Sequence, residues 1–365
     1  MNTSIHVAAV GDLQLGDSPV SVGFGLSSRY RSRGLDDAFS ALRPVLAGAD
    51  FVFGNLECPL STAGLDLASW RSAQLRGDPS FAGALARAGF KVLNVANNHA
   101  AQHGITAFSE TVDLLAEQGI RCCGVKGAGP WCSEPVVLPV PGSRRVGILG
   151  YCQRPRQYGP QEPPFAEGRS AEILSDVERL RGAVDAVVVS LHWGEEFVSQ
   201  PSRAEVALAH AVIEAGAALI IGHHPHVLRP VERYRHGLIA YSLGNCIADM
   251  VWWRRLRQGG VLRCTLDASG AESAELTPIY IDVAYRPTPL ARSEGNGLHP
   301  LDEQAYRRAV RRTVRSQRAA AYRHAALNVW RYSPRMLGQL AAHTIQNKAR
   351  ALRSWFGGRG GARNE

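Results

Sequence analysis

Short apolar runs that break abruptly into polar residues recur through the first two thirds of the chain. Ile5-His6-Val7-Ala8-Ala9-Val10 leads into Gly11-Asp12-Leu13-Gln14, and Phe51-Val52-Phe53 into Gly54-Asn55-Leu56-Glu57. Val92-Leu93-Asn94-Val95-Ala96 leads into Asn97-Asn98-His99, and Ala186 to Leu191 into His192-Trp193-Gly194-Glu195-Glu196. Ala217 to Ile221 opens into Gly222-His223-His224-Pro225-His226. Apolar runs of this length bounded by turn residues predict buried strands of the parallel type. Between them, Asp36 to Ala47, Ser80 to Ala88, Ala107 to Glu117, Ala171 to Arg181 and Arg203 to Ala215 space their apolar residues as helices do. Gly124 to Pro141 and Arg154 to Pro164 are rich in Gly and Pro and read as loops, the second a flap facing a substrate. Further on, Gly260 to Leu266 and Leu276 to Tyr285 read as strands completing a second sheet, and Pro287 to Pro300 as a linker. The fold class is α/β.

In open α/β sheets, ligands gather beyond the carboxyl ends of the strands. Each of the five runs above ends in an oxygen or nitrogen ligand. Singly, each has a structural alternative. Asp12 suits a turn, Glu57 a solvated loop, Asn98 a helix cap, and His99 and His192 suit hydrogen-bonded core positions. Five such ends in one chain make those alternatives poor in combination. The mixture itself suits two adjacent divalent cations. A bridging carboxylate offsets their repulsion, and neutral imidazoles and amides avoid overcharging the site. Cations about 3.5–4 Å apart can clamp the phosphate oxygens of an in-line displacement. The lack of paired thiolate ligands argues against a structural zinc site.

The order Gly-Asp, Gly-Asn-Leu-Glu, Asn-Asn-His, His-Trp-Gly and Gly-His-His-Pro-His resembles the calcineurin-like metallophosphoesterase superfamily. Within it the chain is similar to the CapA branch, the capsule-synthesis proteins linked to poly-γ-glutamate. Pro225 to Pro230 and Tyr241-Ser242-Leu243-Gly244-Asn245 add to that likeness, which spans about residues 5 to 250. The resemblance implies a four-layer α/β/β/α sandwich with its metal loops along one edge. It implies two divalent metal ions (Mn, Fe or Zn) and hydrolysis of a phosphoester or polyglutamate-type substrate, in capsule or anionic-polymer biosynthesis. The alternative it allows is a non-catalytic assembly or transport factor for such a polymer. By the same resemblance Asp12 and His226 hold the first metal, Glu57 bridges, and Asn98, His192 and His224 hold the second. His99 contacts phosphate and protonates the leaving oxygen. Gln14, Asn55, Asn97, Glu195, His223 and Asn245 are expected to contact substrate or support the ligands. The chain departs from the wider pattern at Gln14, where His is usual, and at Glu57, where Asp is more general. Gln102 also stands where an Asp is common.

Length and charge then divide the chain. Its 365 residues suit one large domain over 1–286, a linker over 287–300 and a helical tail over 301–365. From Leu301 onward, 13 Arg and one Lys face three acids, while the rest of the chain is slightly acidic. Arg307, Arg308, Arg311, Arg312, Arg315 and Arg318 recur at three- and four-residue steps, which predicts a basic amphipathic helix. A second helix is expected from Met336 to Phe356. The tail suits an anionic polymer or an anionic membrane surface, or else packs on the sheet through its apolar side. Specific nucleic-acid recognition fits worst, for no RNA-binding, zinc-finger or helix-turn-helix signature accompanies the charge. Seven cysteines, an odd number without paired spacing, suit reduced thiols. With no apolar signal core near Met1, the expected location is cytoplasmic, peripheral to a membrane if the tail docks there.

Overall fold

The computed structural model describes residues 4–154, 161–267, 269–291 and 297–344. Its strands in chain order are β1 (Ile5–Leu13), β2 (Phe51–Leu56), β3 (Phe90–Asn94), β4 (Arg121–Cys123), β5 (Val136–Val140), β6 (Arg144–Cys152) and β7 (Ala186–His192). They continue with β8 (Leu219–His223), β9 (Val231–Tyr234), β10 (Gly237–Ala240), β11 (Asn245–Ile247), β12 (Gln258–Asp267), β13 (Gly270–Ile281) and β14 (Pro287–Pro289). One sheet runs β14-β13-β12-β1-β2-β3-β4, with β11 also paired to β1, and the other β5-β6-β7-β8-β10-β9. Neighbours from β1 to β4 are parallel, as are β6-β7-β8 and β8-β10, while the remaining pairs, apart from parallel β1-β11, are antiparallel.

Side chains alternate across each strand, so each sheet has two apolar faces to cover. Ile5, Val7 and Ala9 of β1 share a core with Ile148, Val188 and Ile221 of the second sheet, so the sheets pack face to face. On its other side β1 sets Ala8 and Val10 in a core with Phe81, Leu85, Phe108 and Leu115, from helices Phe81–Arg87 and Ile105–Glu117. Leu149, Val187 and Ile220 of the second sheet meet Ile173, Val177, Val212 and Ile213, from helices Ser170–Arg181 and Arg203–Glu214.

Some local expectations change. Asp36 to Ala47 is broken into a 3₁₀ turn, Asp36–Phe39, and a short helix, Arg43–Leu46, because Pro44 has no N–H and its ring would clash with the preceding turn. Val136–Val140 lies inside a segment read as loop, yet pairs with β6 at a sheet edge, where Pro139 is tolerated. Pro287–Pro289, read as linker, pairs with β13 as an edge strand of the first sheet. Most of the segment read as a flap, residues 155–160, lies outside the described residues.

The C-terminal segment lies back along the body. Leu301 bridges to Ser202, and helix Glu303–Leu327 starts at Asp302, whose side chain accepts from the Ala305 N–H. Tyr306 and Gln317 are buried, and Val314 packs on the core of the first sheet. Residues 334–344 are helical, and Met336 packs with Val22, Phe24 and Trp70. The rest of the expected Met336 to Phe356 helix lies outside the described residues. Among the described residues no helix is long and apolar enough to cross a membrane.

Candidate metal centre

Strand register lines up the polar residues in two rows. In the first sheet Asp12 stands opposite Asn245 on one side and Asn55 on the other, and Asn55 opposite Asn94. In the second sheet Cys152, His192 and His223 stand in register across β6, β7 and β8. Asp12, Asn55, His192 and His223 are therefore strand residues, not loop residues as the sequence suggests. Asn98, His99, His224 and His226, with Glu57 directly after β2, lie beyond strand ends, as do Gln14, Asn97 and Glu195. The strands can extend this far because the backbones come very close at Gly11. A Cβ there would lie 2.0 Å from the Gly244 carbonyl oxygen. His224 and His226 have left-handed backbone, with φ of 93° and 56°. Such strain in non-glycine residues concentrates at functional sites.

The side chains converge in a closed space. Asp12, Glu57, Asn98, His192 and His224 are fully buried, and His226 and His99 are only 2% and 5% exposed. Ligand atoms of Asp12, Glu57 and His226 lie within 4.8 Å of one another, and so do those of Glu57, His192 and His224. Glu57 belongs to both groups. The Asn98 amide oxygen stands 2.7 Å from His192 Nε2, which places Asn98 beside the second group.

A supporting lattice fixes these ligands. Asn55 Nδ2 donates to Asp12 Oδ1 at 2.9 Å, and Asn55 Oδ1 accepts from Asn94 Nδ2 at 2.9 Å and from Asn97 Nδ2 at 3.3 Å. Asn97 Oδ1 accepts from the His99 N–H at 3.2 Å, tying the lattice to the Asn98-His99 loop. His226 Nδ1 lies 2.9 Å from Asn245 Oδ1, which holds the proton on Nδ1 and frees Nε2, 3.6 Å from Glu57 Oε1. His223 Nδ1 is 3.1 Å from Asp12 Oδ1, so His223 orients that carboxylate and belongs to neither ligand group. Gln14 is buried with its Oε1 unpartnered among the described residues. His99 Nδ1 lies 2.7 Å from Gln102 Oε1, so Gln102 supports His99 although an Asp is common at that place.

Charge and desolvation pull in opposite directions here. Burial opposes ionisation of Asp12, but hydrogen bonds from His223 and His226 and their charges hold its carboxyl well below the usual range. Burial carries Glu57 well above that range, with the Asp12 charge adding to the rise and His226 opposing it. Burial drives His192 and His224 well below the usual imidazole value and His99 down to about 4. Burial also opposes protonation of His226, but Glu57 and Asp12 lift it to about 10.

Among the described residues neither Glu57 oxygen and neither His224 ring nitrogen has a hydrogen-bond partner. Burying such groups unpaired costs several kcal/mol. The donor set of carboxylate, imidazole and amide is one that divalent Mn, Fe or Zn accepts. The residues therefore fit divalent metal, with Glu57 offering ligand atoms to both groups.

Arg154, Glu196, Phe197 and Arg229 escaped the sequence reading, and the expected Glu195 takes another place. Glu195 turns to a two-pronged pair with Arg154, at 2.7 and 3.2 Å, and the Arg154 charge bears on His224. It is Glu196, the next residue, whose charge bears on both Glu57 and His226. Phe197 stacks on His226 with ring centroids 6.1 Å apart. Buried Arg229 pairs with Glu205 at 2.5 Å and donates to the Val198 carbonyl at 2.7 Å, pinning the His192–Val198 loop. The signal for Asn94 was available, as a polar residue inside an apolar run. Glu195 and Glu196 are indistinguishable in sequence until the left-handed turn at Gly194 is known.

Residues 6–250 match the family described as Bacterial capsule synthesis protein PGA_cap. The capsule biosynthesis protein CapA of Bacillus anthracis is 30% identical over 291 residues, covering 77% of this chain and 68% of that protein. The PGA biosynthesis protein CapA of Bacillus subtilis (strain 168) is 29% identical over 301 residues, covering 79% and 74%. A probable polyglutamine synthesis accessory protein of Mycobacterium tuberculosis is 29% identical over 213 residues, covering 53% and 54%. Among solved structures, a 5'-nucleotidase from Candida albicans SC5314 aligns with a TM-score of 0.44 and 10% identity over 87% of this chain and 58% of that one. Nothing about chemistry transfers at that level of likeness. The match over 6–250, which holds every residue of the proposed centre, and the extended identity to CapA place the chain in the bacterial capsule synthesis protein PGA_cap family.

Proposed function

We propose that the chain is a metal-dependent hydrolase of the metallophosphoesterase type, acting on a phosphoester or polyglutamate-type substrate in the synthesis of an anionic capsule polymer. The observation that carries this reading is Glu57, buried without a hydrogen-bond partner among the described residues, and shared by two groups of ligand atoms. Asp12 and His226 would hold one divalent ion, and Asn98, His192 and His224 the other. Bound there, the ions would supply Lewis acidity and stabilise negative charge developing on the substrate. Asn55, Asn97, His223 and Asn245 keep the ligands oriented, and Gln14 offers an amide to the first site. Gln102 holds the proton of His99 on Nδ1. An anionic group beside His99 raises its affinity for a second proton, which it passes to the leaving oxygen.

The substrate and the partner of the C-terminal segment share one chemistry, negative charge. The arginines of helix Glu303–Leu327 suit a polyanion or an anionic membrane surface, and the proposed location is the cytoplasm, at the membrane periphery. A second reading, a non-catalytic assembly factor for a poly-γ-glutamate-like polymer, is favoured by Gln14 and by the accessory role in the name of the mycobacterial relative. Turnover of an aryl phosphate by metal-loaded protein, lost on chelation and regained with manganese, supports the hydrolase. Poly-γ-glutamate binding without cleavage of either substrate class favours the second reading.

A further inference from the structure

We propose that helix Glu303–Leu327 and the turn after it dock this protein on an anionic lipid bilayer, with Leu327 and Trp330 entering the interface. This deepens the reading of an anionic partner for the C-terminal segment.

The helix has two unlike faces. At 100° per residue, Tyr306, Val310, Gln317 and His324 share one side, and Tyr306 and Gln317 are buried there against the body. The opposite side carries Arg308, Arg311, Arg312 and Arg315 in its first half, all exposed. In its second half the same side carries Ala319, Tyr322 and Ala326, with Tyr322 half-exposed. Beyond them Leu327 is 68% exposed and Trp330 78% exposed. Acids on this element are confined to its start, Asp302 and Glu303, and Glu303 pairs with Arg307 at 2.6 Å. From Gln304 to Thr344 the chain contains no acid. Arg331 lies 5.8 Å from the Trp330 ring and 4.4 Å over Phe24, so the indole projects from a turn anchored to the body.

Charge alone would suit a dissolved polyanion equally well. The apolar tip decides between them. A polyanion in water offers Leu327 and Trp330 nothing, whereas the headgroup boundary of a bilayer takes up indole and leucyl side chains beside arginine. Arginines near an anionic leaflet strengthen such docking. A second copy of this chain is disfavoured by like charge across the face.

The test is co-sedimentation of the full-length, metal-loaded chain with phosphatidylcholine vesicles, with and without phosphatidylglycerol. Binding is expected only when phosphatidylglycerol is present. The double variant Leu327→Ser/Trp330→Ser should weaken it about tenfold, since two partly buried apolar side chains are lost. Replacing Arg308, Arg311, Arg312 and Arg315 with Gln should abolish it. Absence of vesicle binding overturns the proposal. So does binding that the arginine variant loses and the Leu327→Ser/Trp330→Ser variant keeps in full, which marks recognition by charge alone, as for poly-γ-glutamate. Metal content measured on the same samples reports separately on the centre, so failure there is distinguishable from failure to dock.

Discussion

Glu57 sits where burial raises its carboxyl, Asp12 repels its charge, and among the described residues nothing donates a hydrogen bond to it. His99 differs, for its backbone is held by Asn97 and its ring by Gln102. His99→Asn should therefore leave metal uptake intact while aryl phosphate turnover falls by about 10²–10⁴, the usual contribution of a positioned acid. Elsewhere, Asp249 is raised to about 7 by burial and by the Asp17 charge, with its Oδ2 accepting from the Ser18 N–H at 2.9 Å. The folded chain holds that proton more tightly than the unfolded chain. Its contribution is thus greatest at acid pH and is lost as pH rises from the ordinary 3.8 to about 7. Asp249→Asn should flatten this slope in thermal melts, with a gain on the order of a few kcal/mol at pH 8. Equal slopes in both proteins would contradict it.

Strand ends carry the site, and their close approach is what the sequence conceals. The apolar runs predict β1, β2, β3, β7 and β8, and the polar residues after them name the candidate ligands. The pattern cannot tell that Asp12, His192 and His223 still pair within sheets, because polarity reads as a strand end. Nor can it find β5 or β14, short edge strands containing proline, where pairing with a neighbour outweighs local preference. Gly11→Ala tests the packing of these ends directly. A methyl 2.0 Å from the Gly244 oxygen forces β1 away from the backbone leading into β11 and should cost about 3 kcal/mol or more, seen as a lower midpoint in denaturant. A neutral result would mean the strands do not meet so tightly.

Two sheets bring two rows of polar residues to one edge, and the C-terminal segment is laid along the same body. Tyr306 joins these parts, for its hydroxyl accepts from the Glu195 N–H at 2.9 Å and from buried Arg229 at 3.3 Å. The basic helix was legible from arginine spacing. Its attachment was not, since that rests on single residues such as Tyr306 and Gln317. The proposed hydrolase depends on Glu57 joining two cations. Elemental analysis of purified protein after reconstitution with manganese or zinc decides it, run beside Glu57→Ala and His224→Ala. The expected result is two metal ions per chain in the parent, none in Glu57→Ala and at most one in His224→Ala, with both variants folded by circular dichroism. A parent chain that takes up no metal, or a Glu57→Ala chain that keeps both ions, would contradict it.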